Sequence, residues 1–202
     1  MSVETHVNPH HEHPDIVGSR NRLGVILLLV ADIAFALSIL FVYFYLKGQN
    51  VNGLWLPKAT EESPAILPVS SKGAWSVTGI AAFGLLAHYY GLRGVRKANQ
   101  TQLKLGGLVA VAAALGAAVY QNIQISNTPF TFSAGAYASC YFLIAIMNMV
   151  HLILTVFISL GNWNRSRLGI YSADHWHVDI VNLWWGWMVV SSLLGAFALS
   201  FT

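Results

Sequence analysis

Between Arg22 and Lys47 the chain is apolar at almost every position and carries one charged residue, Asp32. A helix rises about 1.5 Å per residue, so this stretch predicts a helix able to cross the ~30 Å hydrocarbon core of a bilayer. Four more apolar runs follow, and together the five give expected spans over 22–46, 73–94, 105–125, 133–160 and 175–201. Turn and breaker residues separate them. Pro57, Pro64, Pro68 and Asn52-Gly53 fall between the first and second, and a basic stretch with Arg93, Arg96, Lys97 and Lys104 between the second and third. Ser126 to Pro129 joins the third to the fourth, and Gly161 to Arg167 joins the fourth to the fifth. The expected fold is an all-α integral membrane protein, a five-transmembrane-helix bundle. Residues 1–19 form a polar, His-rich tail and residues 20–202 the helical domain. The third run is rich in small residues, Gly106, Gly107, Ala110, Ala113, Ala114, Ala117 and Ala118. Small residues four apart allow close helix approach in membranes, which predicts a place in the middle of the bundle.

Composition sharpens this picture. Of 202 residues 55% are hydrophobic and 9% charged, against about 25% charged in soluble domains. A net charge of +3 is too small and too scattered to indicate nucleic acid. The single cysteine, Cys140, excludes an internal disulfide and is expected as a buried thiol. The first nineteen residues have no basic n-region, so insertion is expected to be directed by the first span. His6, His10, His11 and His13 in that tail match no closed metal site, and a solvated tail is the expectation. Alternating the five spans puts Arg20, Arg22, Arg93, Arg96, Lys97, Lys104, Arg165 and Arg167 on one side, eight of the eleven basic residues. Excess Lys and Arg marks the inner face, so the N-terminus is expected inside and the C-terminus outside.

The polar residues within the spans carry the candidate chemistry. Asp32 lies ten residues past Arg22, ~15 Å deep, where an ionised carboxylate costs at least about 2.5–3.5 kcal/mol. An acid there must be paired, hydrogen-bonded or neutral. His151, ~18 Å from the inner end of the fourth span, shares its layer, and a neutral Asp32–His151 pair is favoured over an ion pair that must offset two desolvation costs. His88, His177 and Asp179 fall in a shallower inner layer, and Asn148 lies one turn from His151. Haem ligation by His88 and His151 would need both at one depth, and they differ by roughly 10 Å. No spacing among His88, His175, His177 and Asp179 matches a metal site. The aromatic runs Tyr43-Phe44-Tyr45 and Trp184-Trp185-Gly186-Trp187 are expected to pack or to face lipid.

Three stretches resemble subunit III of the haem-copper respiratory oxidases, in its short five-helix bacterial form. They are Leu27 to Phe35 with Asp32 followed by Phe41-Val42-Tyr43-Phe44, Gly135 to Phe142 leading to His151, and Trp176-His177 with Asp179 and Trp184. The resemblance runs from about Arg20 to Thr202. It places Asp32 on the family's intramembrane carboxylate. Where the family pattern has a second histidine one turn before His151 this chain has Asn148, and the family's Gln-x-x-Glu stands here as Gln121 and Gln124.

The resemblance implies a chain with no catalytic centre, bound cofactor or metal of its own, haem and copper being expected in partner subunits. It implies packing on the catalytic haem-copper subunit I, contacts with other oxidase subunits, phospholipid held in a helix cleft, and support of proton uptake and sustained turnover. The oxidase would take electrons from cytochrome c or quinol and pump protons in a bacterial or archaeal cytoplasmic membrane. Two other readings compete. One is a stand-alone proton-coupled transporter using Asp32 and His151, against which stands the lack of an inverted repeat; the other is a non-respiratory membrane scaffold.

Overall fold

The computed structural model describes residues 14–50, 53–59, 65–171 and 175–202. They form five α-helices, α1 (Pro14–Gly48), α2 (Lys72–Val95), α3 (Gln100–Ser126), α4 (Ala136–Arg167) and α5 (Trp176–Leu199), with one 3-10 turn at Phe132–Ala134. No strand occurs among the described residues. Helices α1, α3, α4 and α5 are long and apolar enough to cross a membrane. α2 is as long as α5 but falls short of them in hydropathy, being built of small residues with His88 buried among them. The tail histidines, Pro64 and Asp174 lie outside the described residues.

Helices α2 to α5 close into a ring, α2 on α3, α3 on α4, α4 on α5 and α5 back on α2. α1 packs outside that ring, against α4 and α5. The expectation for α3 therefore changes. It is one wall of the ring rather than its centre, and its small-residue face is buried while Leu105, Leu108, Leu115 and Val119 are exposed. What the small residues do is bring α2 close. A Cβ on Gly106 would lie 2.6 Å from the Ala87 carbonyl oxygen and the Gly91 nitrogen. The centre of the ring is filled instead by Trp185, fully buried against Ala110 and Ala114. Gly84 makes room for it, since a Cβ there would stand 2.5 Å from the indole Cη2.

Helix limits differ from those read in the sequence at several ends. α1 is already helical at Pro14, the first described residue, so the helix takes in residues expected in the tail. α4 runs on through Gly161 to Arg167, a stretch whose Gly and Asn residues favour a loop by propensity alone. Tertiary bonds outweigh that preference. Asn162 is buried and meets both His88 Nε2 at 3.2 Å and the Tyr171 hydroxyl at 2.7 Å.

Contacts between helix ends fix which ends lie together. Arg96 bonds Asp179, Gln100 bonds the Tyr171 carbonyl, and Gly18 lies against Trp176. The opposite end joins Lys47 Nζ to the Phe201 carbonyl at 2.7 Å, Trp75 to Ser200, and Val69 to Tyr137. Trp55 is buried at that end between Tyr43 and Tyr137, with ring centroids 5.1 and 5.6 Å away.

A methyl group tests the α2–α3 approach. Gly106→Ala should lower stability by about 1–3 kcal/mol through overpacking against backbone, whereas Gly116→Ala, with nothing within 4 Å of its Cβ, should be neutral. Thermal unfolding in detergent reads both, and equal midpoints would contradict the close approach.

Candidate functional site

α1 buries only a narrow stripe. Asn21, Val25, Leu29, Asp32, Ala36, Ile39, Tyr43 and Lys47 face the other helices, while Leu27, Val30, Phe35, Leu37 and Phe41 are exposed. This spacing of three and four residues is the seam of one helix lying along another pair. Asp32 is the polar residue in the middle of it.

Two side chains from different helices converge on one carboxyl oxygen. His151 Nε2 of α4 lies 2.8 Å from Asp32 Oδ2, and Trp187 Nε1 of α5 donates to the same oxygen at 2.5 Å. The far side of the imidazole is also held, with Nδ1 3.2 Å from Ser191 Oγ. The ring stands edge-on to Trp184 at 5.9 Å. Trp184 donates to Thr155 Oγ1 at 2.8 Å, and Thr155 in turn donates to the His151 carbonyl at 2.7 Å. Each group thus meets a polar partner instead of hydrocarbon, where an unpaired polar group is costly.

The pair sits in the wall of an apolar groove of about 460 Å³ between α1, α4 and α5. Leu28, Phe35, Met147, Val150 and Ile180 are among its lining residues, and Asp32 and His151 supply the polar atoms. The Asp32 side chain keeps 19% exposure there, against 6% for His151.

Of the other candidate partners of Asp32, none reaches it. Asn148 turns to α3 and donates to Gln121 Oε1 at 3.0 Å. His88 belongs to a separate buried cluster, between Asn182 Oδ1 at 3.4 Å and Asn162. Asp179 binds Arg96 at 2.5 Å, with His175 3.8 Å away. His177 stacks on Trp176 at 3.5 Å. His88 and His151 thus serve different clusters, and among the described residues no three His, Cys, Asp or Glu side chains gather as a metal site would require.

The sequence assigns Trp187 to packing or lipid contact and singles out no role for Ser191, whereas the structure gives both a polar one. A signal was there. An indole N–H in hydrocarbon needs an acceptor, and Trp184, Trp185 and Trp187 stand opposite a span set containing Thr155, Ser159 and Asp32. The structure uses all three, Trp185 donating to Ser159 at 3.0 Å. These indoles are buried, so none of the three faces lipid.

The cytochrome c oxidase subunit III family model matches residues 1–197. The chain belongs to that family. Among its relatives is the cytochrome c oxidase subunit 3 of Trichophyton rubrum, 27% identical over 191 residues that cover 90% of this chain and 67% of the relative. The Marchantia polymorpha and Arabidopsis thaliana subunits 3 are each 26% identical, covering 86% of this chain and 72% of their own length. As a member of the subunit III family the chain is a subunit of a terminal oxidase, a membrane protein that works with other oxidase subunits. Family membership displaces the stand-alone transporter reading.

Removing one donor tests the clamp. Trp187→Phe keeps the ring but loses the bond to Asp32, and should cost roughly 1 kcal/mol, the usual size of an interhelical side-chain bond in membranes. The measurement is the temperature at which the subunit leaves the detergent-solubilised oxidase; an unchanged midpoint would take Trp187 out of the clamp.

Proposed function

We propose that this chain is the non-redox subunit of a proton-pumping haem-copper oxidase, packed on the catalytic subunit I and holding a phospholipid chain beside the Asp32–His151 pair. On this reading haem and copper belong to partner subunits, and the chain supports proton uptake and the lifetime of turnover. The electron donor is cytochrome c or quinol, and the membrane is the cytoplasmic membrane of a bacterium or archaeon. The observation that carries it is the groove. Its walls are apolar over nearly their whole length, its volume falls within the range of ligand sites, and it opens between membrane helices, where an acyl chain is the abundant apolar occupant.

The role of Asp32 follows from its surroundings. It is held by His151 and Trp187. Its work on this reading is to lock α1 to α4 and α5 while presenting a polar edge to the groove. A loosened α1 would change both the lipid contact and the surface offered to the catalytic subunit.

Asp32→Asn keeps size and hydrogen bonding while removing the titratable proton. It is expected to assemble at parental levels, with oxygen reduction per haem fading severalfold sooner over successive turnovers. Asp32→Leu leaves His151 and Trp187 without their partner, at about 1–3 kcal/mol, and should also lower subunit content and retained phospholipid. Parental rate, lifetime and lipid content in both variants would refute the proposal.

The inner side is assigned to the end bearing the eight clustered basic residues. A cysteine at Lys97→Cys should then react with a membrane-impermeant thiol reagent only from the inside, and Lys58→Cys only from the outside. The reverse pattern would invert the topology.

A further inference from the structure

A second recess opens at the other end of the ring, away from the clustered basic residues. Its lining runs from Ser70 and Ala74 past Gln124, Tyr141 and Ser192 to Asn148 and Gln121. Gln121 lies five residues from the end of α3 and Ser192 seven from the end of α5, so the floor is ~8–10 Å below the helix ends. Asn148 is more than nine-tenths buried. Its amide nitrogen is spent on Gln121, while its Oδ1 meets no hydrogen-bond donor among the described residues. An acceptor without a donor at that depth costs about 1–3 kcal/mol.

Size and chemistry both limit what can meet that oxygen. The recess has about 20 Å³ of open space, above the ~10–15 Å³ that one water requires and too little for a larger solute. Among the described residues its polar lining is made of amides and hydroxyls with no Asp, Glu, Lys, Arg or His, so nothing among them compensates an ion. Gln121, Gln124 and Ser192 stand around it, and a buried water needs two to four such partners. The Gln124 amide is half turned away, donating to the Gly73 carbonyl at 3.2 Å, which leaves its oxygen as an acceptor.

We propose that this recess is a built water site, in which one water donates to Asn148 Oδ1 and is held by the Gln121, Gln124 and Ser192 polar groups. The site reaches the interior of the ring one helical turn from His151, since Asn148 precedes it by three residues on α4. On α5 the neighbouring residue of Ser192 is Ser191, which bonds His151 Nδ1. The water therefore brings the solvent of that end to within one turn of the Asp32–His151 pair, on the side away from the apolar groove.

The test is a density map of the intact oxidase at a resolution that shows ordered water, for the parent and for Asn148→Leu. The parent should show a peak within hydrogen-bonding distance of Asn148 Oδ1 and of at least one of Gln121, Gln124 and Ser192. The variant should lose that peak while the Asp32–His151 contact stays. A parent map in which a side chain swings in to donate directly to Asn148 Oδ1, or in which an acyl chain or no peak occupies the recess, would overturn the proposal. The parent map decides alone if the variant fails to assemble.

Discussion

A carboxyl group carried into hydrocarbon has to find its donors on other helices, and the placement of α1 depends on that requirement. Most of the surface of α1 is apolar and exposed, so van der Waals contact alone gives little preference for one rotation about its axis. The bonds from His151 and Trp187 to Asp32 remove that freedom. They tie α1 to α4 and α5 at mid-length, and the Lys47 and Tyr43 bonds to the Phe201 carbonyl tie it again at one end. Gly18 against Trp176 closes the other end.

The ring beneath α1 follows a different logic. There the hydrophobic effect gives no drive between helices, because lipid is as apolar as leucine. Close approach and satisfied polar groups take its place. Gly106 and Gly91 let α2 and α3 touch by backbone, and Trp185 fills the centre with its N–H bonded to Ser159. Buried polar side chains in the ring are met from other helices, as Thr78 meets Ser192 and His88 meets Asn162 and Asn182.

These two arrangements suit a subunit of a larger assembly. The ring meets most of its buried polar groups from within, whereas α1 and the outer faces of α3 and α4 present broad apolar surface with Phe41, Leu115 and Phe157 exposed. Such surfaces belong against lipid or other membrane helices. Membership in the subunit III family supplies the other oxidase subunits as the setting. Asp32 sits where α1, the groove and the ring meet, so a change there reaches both the fold and the contact surface.

Run length and hydropathy by themselves determined the helical class, the number of helices and their order, because a bilayer demands long apolar runs with few charges. Depth counted along the chain also put Asp32 and His151 in one layer, and the basic residues of alternate connections on one side. Rotation was beyond reach. α1 is apolar all round, so no periodicity in it distinguishes the stripe through Val25, Asp32, Ile39 and Tyr43 from the exposed remainder. For the same reason the burial of Trp187 and its bond to Asp32 could not be read off. Asn148 looked like a partner of Asp32 because it shares a helix and a depth with His151; three residues turn a helix by about 300°, and that turn carries its amide to Gln121. Neighbours decide where a side chain goes once every candidate position is equally apolar, and only the tertiary structure contains the neighbours.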